Sequence, residues 1–336
     1  MIPHCKTYAR AAHADGRPIV GIMCEYAPRE LVMAAGALPV CLCGGDPDTI
    51  PAAETQLPTN LCPLVKSTYG YLVEKANPFL EMADLVIAET TCDGKKKMFE
   101  LIGESRQTYL MTVPQRENDP DAIEQMTREL AKLKQFLEHR YSVNITPEKL
   151  RHAVATMNRE RKLRRQLAQL MKQDPPPLTG RQLLDFKSII SCVPADLQQY
   201  EAALHVLAKK QNTSLPDHRV RVLLTGVPLV HGAERVMDII EANGCIVVCQ
   251  ENCTGLKPIL DDVDETSGDL LRALAQKYYP LPCSIKTPNN NRLELIRRLA
   301  LEYRAECVIE LIWHACLTYA VESFRVKRLV EHELKI

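Results

Sequence analysis

Five cysteines stand in short turn-rich segments: Asn60-Leu61-Cys62-Pro63, Thr90-Thr91-Cys92-Asp93-Gly94, Glu251-Asn252-Cys253-Thr254-Gly255, Leu281-Pro282-Cys283-Ser284 and His314-Ala315-Cys316-Leu317-Thr318-Tyr319. Four of the five follow or sit near strand-like apolar runs, and none lies inside one. Several thiolates gathered in one crevice hold a metal ion or an iron–sulfur cluster. The flanking Pro, Gly, Asn, Asp and Thr form turns that expose backbone N–H groups. Cluster sulfides and thiolates accept hydrogen bonds from such groups. A thiol on a loop at a strand end also has no packing reason to be there. The ligand candidates are therefore Cys62, Cys92 and Cys316, followed by Cys253 and Cys283.

The spacing bears on which metal. The chain has 13 cysteines, an odd count that suits ligands better than disulfides in a reducing compartment. No CxxC pair occurs, so a zinc ribbon or finger fits poorly. Candidates drawn from well-separated parts of the chain suit an iron–sulfur cubane. Cys41, Cys43, Cys192, Cys245, Cys249 and Cys307 fall within strand or helix patterns and read as core, where cysteine behaves as a small hydrophobe. Cys24 ends a strand and reads as core too. For proton transfer the sequence offers His231 and His314 near the expected cleft, with Glu322 and Ser323 one turn into the helix after Cys316. Lys95-Lys96-Lys97 opens a helix and reads as a solvated face, or as a docking patch for an acidic or phosphate-bearing partner.

These residues need elements to position them. Strand-like runs at 18–24, 38–43, 84–88 and 108–113 alternate with helical patterns, which predicts βαβ units and a parallel sheet. From 119 to about 211 the spacing is helical and nearly strand-free. Thr146 and Pro147 form a helix start, and 183–190 reads as helix. Alternation returns with strands at 220–224, 245–249 and 307–312. Gly244 suits a left-handed helix end, and Asn289 to Asn291 a turn and cap before the next helix. The fold class is α/β: two Rossmann-like parallel-sheet domains, 1–118 and 216–336, with a helical segment, 119–215, between them. Ligands in such sheets bind beyond the carboxyl ends of the strands. A doubly wound domain ordinarily adds a strand after a helix like the last one, so the C-terminal domain reads as truncated.

Composition narrows the function. A length of 336 residues, 46% apolar and 25% charged, is ordinary for a soluble multidomain protein. Equal numbers of basic and acidic side chains, 42 each, argue against nucleic acid or an anionic membrane as the main partner. No apolar run approaches the length of a membrane span, and residues 1–17 are too polar for a signal peptide. A cytoplasmic location is expected. There is no Gly-x-x-x-x-Gly-Lys-Ser/Thr loop for ATP and no Gly-x-Gly-x-x-Gly fingerprint for a dinucleotide.

The strings Asn60-Leu-Cys-Pro-Leu-Val-Lys-Ser-Thr-Tyr-Gly70, Glu89-Thr-Thr-Cys-Asp-Gly-Lys-Lys-Lys-Met98, Glu251-Asn-Cys-Thr-Gly255 and Ala315-Cys-Leu-Thr-Tyr-Ala-Val-Glu-Ser323 resemble the 2-hydroxyacyl-CoA dehydratase D-component family. Within it the chain looks most like the double-cubane cluster proteins. The resemblance implies α/β domains with helical insertions, assembled as a homodimer, or as a heterodimer if the chain is a dehydratase subunit. It implies a 4Fe-4S cluster held by Cys62, Cys92 and Cys316, with Cys253 and Cys283 as candidates for a double cubane. It implies low-potential electrons from a separate ATP-dependent iron–sulfur activator, delivered to a small-molecule substrate between the domains. Val227 stands where double-cubane relatives resemble Thr-Gly-Cys-Pro, and Pro282-Cys283-Ser284-Ile285 where they resemble Gly-Cys-Ser-Cys. One cubane, two, or an incomplete second one all fit. The expected function is an iron–sulfur reductase component. The alternatives are a subunit of a 2-hydroxyacyl-CoA dehydratase and a cluster-less binding protein.

Overall fold

The computed structural model describes residues 2–209, 218–230 and 232–336. The continuous apolar runs become strands, most of them buried on both faces as a parallel sheet requires, with those at Thr108–Met111 and Cys307–Leu311 only partly buried. β1 (Ile19–Ile22), β2 (Leu38–Cys41), β3 (Leu85–Glu89) and β4 (Thr108–Met111) form one sheet in the order β2-β1-β3-β4. β5 (Val220–Gly226), β6 (Cys245–Gln250) and β7 (Cys307–Leu311) form a second in the order β6-β5-β7. Every ladder is parallel.

Helices fill the crossovers. α1 (Ile2–Ala14) precedes β1, and α2 (Arg29–Ala34) joins β1 to β2. α3 (Ile50–Ala53), α4 (Pro63–Glu74) and α5 (Pro78–Met82) lie between β2 and β3, and α6 (Asp93–Gly103) between β3 and β4. α7 (Ala122–Tyr141), α8 (Pro147–Leu170), α9 (Gly180–Asp185) and α10 (Pro194–Lys209) follow. α11 (Arg235–Ala242) joins β5 to β6, and α12 (Leu270–Tyr278) and α13 (Asn290–Glu302) join β6 to β7. α14 (Leu317–Arg328) follows β7 and continues through a π-helical turn, Leu329–Leu334.

Local chemistry sets several boundaries. The Thr146 hydroxyl accepts from Lys149 N at 3.3 Å, with Pro147 in the first turn of α8. Gly244 has φ +79° after α11. The polar N-terminal stretch forms α1, tied down by Cys5, whose Sγ lies 3.1 Å from Ser188 Oγ. Two local expectations are corrected. The helix expected over 183–190 is shifted back, because Thr179 and Gln182 form a capping box that starts α9 at Gly180. The chain then leaves the helix, and Ile190 bridges Val40 antiparallel. Asn289 precedes α13 but does not cap it with its side chain. Its Nδ2 donates to Cys283 O at 3.0 Å and to Glu322 Oε1 at 2.6 Å.

The helical middle packs against the first sheet. One hydrophobic core takes in β1, β3, α2, α7, α8 and α12. Inside it, Arg161 of α8 bonds Glu30 of α2 at 2.5 Å and the hydroxyl of Tyr278 of α12 at 2.9 Å. The loop after β4 is clamped to the segment before α13. Glu117 accepts from Asn290 N and Asn291 N, and Lys286 donates to Pro114 O at 2.6 Å. Tyr26, after β1, donates to Leu281 O at 3.0 Å. These bonds bring the carboxyl ends of the two sheets together. In each sheet the strand order reverses at one place, β1/β3 and β5/β7, and such switch points open a crevice beyond the strand ends.

Candidate functional site

Cys62, Cys92 and Cys316 occupy the same local position three times. Each is the N-cap residue of a helix, α4, α6 and α14 respectively, and none uses its side chain as the cap. Each thiol thus stands at the N-terminal end of a helix, where the first N–H groups and the helix dipole offset negative charge. Cys92 follows β3 and Cys316 follows β7, one at each switch point. The thiols of Cys62 and Cys316 are close enough to interact. The Cys62 thiol, helped by the Tyr319 N–H and the Thr318 hydroxyl, holds Cys316 down at about 6. The Cys316 thiol, with burial, pushes Cys62 up. The Cys92 loop abuts the Cys62 loop, since a Cβ on Gly94 would lie 2.9 Å from Leu61 Cδ1. Ala315, just before Cys316, has φ +57°, a left-handed conformation that costs a side-chain-bearing residue roughly 1–2 kcal/mol.

Cys253 and Cys283 lie within electrostatic reach of each other and of Cys24. Burial pushes Cys253 up to about 12, with Lys257 opposing, and pushes Cys24 up as well. By sequence alone Cys24 reads as core at the end of β1. Its position after β1, at the first switch point, was the signal that could have found it. Thr318 connects the two thiol groups: its Oγ1 is 3.9 Å from Cys316 Sγ and 3.0 Å from the hydroxyl of Ser284, next to Cys283.

Charge around the thiols is arranged. Lys95 turns away from the surface and donates to Met23 O at 2.6 Å. Burial opposes its charge, but Cys43, Cys24, Glu89 and Cys92 raise its pKa overall. Only Lys96 and Lys97 form the solvated face, paired with Asp93 at 2.7 Å and Glu100 at 2.5 Å. Glu89 ends β3 fully buried, and burial pushes it up to about 7. Its Oε1 accepts from Cys24 N at 3.0 Å. Its Oε2, Thr91 Oγ1 and Asn252 Nδ2 are buried without a hydrogen-bond partner.

At the carboxyl end of the second sheet, Arg292 of α13 is buried among carboxylates. Nη1 is 2.5 Å from Glu322 and Nη2 is 3.0 Å from Glu310. Nη2 also donates to Thr225 Oγ1 at 2.9 Å, and that hydroxyl donates to Glu251 at 2.6 Å. Lys257 bridges Glu251 at 3.0 Å and the Tyr319 hydroxyl at 3.2 Å. Glu322 and Tyr319 both belong to α14, so this network fixes the helix that Cys316 begins.

The groups offered for proton transfer are dispersed. Glu322 is engaged by Arg292 and Asn289, which makes it an anchor. The Ser323 hydroxyl donates to Ala320 O at 2.7 Å within its own helix. His314 is exposed, and His231 lies outside the described residues. Val227 is buried at 2% exposure with its N–H on Leu311 O, so the end of β5 contributes packing.

The donor set suits an iron–sulfur group. Such a group carries net negative charge, and the site supplies three helix N-termini, Lys95, Lys257 and an unpartnered amide donor on Asn252. A cubane spreads its thiolates, because each sulfur meets a different iron. Among the described residues, no three His, Cys, Asp or Glu side chains are gathered closely enough for a single metal ion.

Comparison with known proteins adds identity to this geometry. Residues 24–336 match the family described as 2-hydroxyglutaryl-CoA dehydratase, D-component. The chain is 38% identical over 335 residues to the YjiM protein of Escherichia coli strain K12, covering 96% of this chain and 85% of that one. It is 23% identical over 330 residues to the (R)-phenyllactyl-CoA dehydratase beta subunit of Clostridium sporogenes, 90% of this chain and 80% of that one. It is 25% identical over 272 residues to one of the subunits of benzoyl-CoA reductase from Thauera aromatica, 78% of this chain and 68% of that one.

Proposed function

The chain belongs to the 2-hydroxyglutaryl-CoA dehydratase D-component family as an enzyme component of the dehydratase and reductase kind, and within that family we propose that it is the iron–sulfur reductase component, taking low-potential electrons from an ATP-dependent activator and reducing a small substrate between its two sheets. The observation that carries this reading is the meeting of Cys62 and Cys316 across the two sheets, with the Cys92 loop packed beside them. Cys62, Cys92 and Cys316 would hold a 4Fe-4S cluster, and Cys253 and Cys283, joined by Cys24, would extend the ligand set toward a second. When bound, such a cluster supplies a one-electron store whose potential is set by burial and hydrogen bonds. The chain's own residues do the rest. Three helix N-termini offset thiolate charge, Lys95 and Lys257 add fixed positive charge, and Arg292 keeps α14 in place.

The names of two relatives, the phenyllactyl-CoA and lactoyl-CoA dehydratase beta subunits, favour a second reading, a subunit of a 2-hydroxyacyl-CoA dehydratase. Both readings call for a partner subunit. Leu317, Val321 and Phe324 support one, since they form a single exposed stripe on α14 at 73%, 77% and 67% exposure, beside Cys316. No described helix is long and apolar enough to cross a membrane. Anaerobic reduction followed by electron paramagnetic resonance tests the main reading. It expects a cluster signal in the chain alone, abolished in Cys316→Ser. A silent spectrum in anaerobic protein would leave the cluster-less binding role. Turnover of a 2-hydroxyacyl-CoA only after a second homologous subunit is added would favour the dehydratase.

A further inference from the structure

A cavity of about 470 Å³ opens where the end of β2, the α4–α5 turn, the loop after α9 and the segments following β5 and β6 meet. That is the volume of a pocket for a drug-sized ligand. Its apolar wall includes Tyr71, Phe79, Leu42 and Leu229, and the thiols of Cys41 and Cys43 line the same space. Thr254, next to Cys253, forms part of its wall.

Polar groups in such a pocket fix orientation and specificity. The charged wall residues are Lys6, Arg181 and Lys187 against Asp185 and Glu234. Arg181 is committed to Asp185 at 3.2 Å and Asp238 at 3.4 Å. Lys187 makes one bond, from Nζ to Cys253 O at 3.3 Å. Neither Lys187 nor Lys6 has an ion pair among the described residues. The cavity therefore joins an aromatic and aliphatic wall to two lysines without an ion pair, one of them bonded to the Cys253 loop and within electrostatic reach of Glu25.

We propose that this cavity binds the substrate, and that the substrate is a small organic acid, its carboxylate held by Lys187 and Lys6 and its apolar body by Tyr71, Phe79 and Leu229. The assignment of the ligand as substrate rests on the reductase reading above; the binding itself does not.

Calorimetry on the anaerobically purified full chain tests it, with 3-phenylpropionate, 3-phenylpropan-1-ol and inorganic phosphate as probes. The acid should bind, and the alcohol of the same shape should bind roughly tenfold more weakly or worse, as loss of a charged hydrogen bond implies. Lys187→Met with Lys6→Met should remove that preference without changing the alcohol, and Lys187→Arg should restore part of it. The acid should slow alkylation of Cys43 and Cys41, read peptide by peptide, and leave Cys245 unchanged. Equal binding of acid and alcohol would overturn the proposal. So would phosphate matching the acid, or acid that leaves Cys43 unprotected. Iron is counted on the same samples. Binding retained without iron would sink the reductase reading alone, and iron retained without binding would sink this proposal alone.

Discussion

The thiols of Cys62 and Cys316 come within interaction range of each other although one starts a helix on the first sheet and the other a helix on the second. A contact between two thiols is weak, so it does not hold the sheets together. The surrounding bonds do: Tyr26 to Leu281, Lys286 to Pro114, and the Glu117 cap on α13. The fold brings the two sulfurs together at the expense of a left-handed Ala315 and of buried polar atoms left unmatched. Such costs concentrate at functional sites.

Arg292 is the first place to probe. It is fully buried and pairs with Glu322, Glu310 and Glu251. Arg292→Met leaves those carboxylates without their shared cation. Breaking a buried pair from one side costs about 3–5 kcal/mol, and urea unfolding should show a loss of that size. A loss under about 1 kcal/mol would contradict the role given to the network.

Lys277 makes stability depend on pH. Burial, then Arg161, lower its ammonium from 10.5 to about 7. Between those values the unfolded chain keeps a proton that the folded chain has released, so stability rises with pH across that window. The penalty is fully present below 7. Lys277→Met removes it, so the variant's gain over wild type should be largest near roughly pH 6 and fade toward roughly pH 10. Each tenfold loss of proton affinity on folding is worth about 1.4 kcal/mol. Denaturant midpoints taken across that range check this, and a gain constant with pH would refute it.

Gly226 is required by geometry. It has φ +102°, and a Cβ there would sit 2.1 Å from Leu311 O, so alanine would force β5 and β7 apart beside Val227. Gly226→Ala should cost more than about 3 kcal/mol. Gly244→Ala, also at positive φ but with nothing within 4 Å, should cost only about 1 kcal/mol. Thermal unfolding of the two variants should separate them clearly; similar losses would mean the close approach is not real.

The α14 stripe predicts assembly. Val321→Glu with Phe324→Glu should lower the molecular mass seen by light scattering, from a complex to a single chain, while circular dichroism stays unchanged. A wild-type chain that is already monomeric, alone and with a homologous subunit, would contradict the surface assigned here.

Much of this was legible in the sequence because the governing patterns are local. Continuous apolar runs mark buried parallel strands, Thr146 and Pro147 mark the start of α8, and the turn residues around Cys62, Cys92 and Cys316 mark loops. What could not be read depends on contacts far along the chain. Cys24 looks like any strand-end cysteine until Cys253 and Cys283 are folded beside it. Lys95 looks solvated with its neighbours until its helix is docked and its Nζ reaches Met23. Asn289 looks like a cap, but Glu117 accepts from the first two N–H groups of α13 while the Asn289 amide nitrogen donates to Glu322 and the Cys283 carbonyl. Glu89 gains its character from burial at the end of β3, and Arg292 from three carboxylates on other elements.

Iron and acid-labile sulfide per chain, counted after strictly anaerobic isolation, test the central claim most directly. The account predicts equal iron and sulfide near four per chain, or near eight for two cubanes, lost together in Cys62→Ser, Cys92→Ser and Cys316→Ser and retained in Cys245→Ser. Iron-free wild-type protein, or iron that survives all three substitutions, would contradict it.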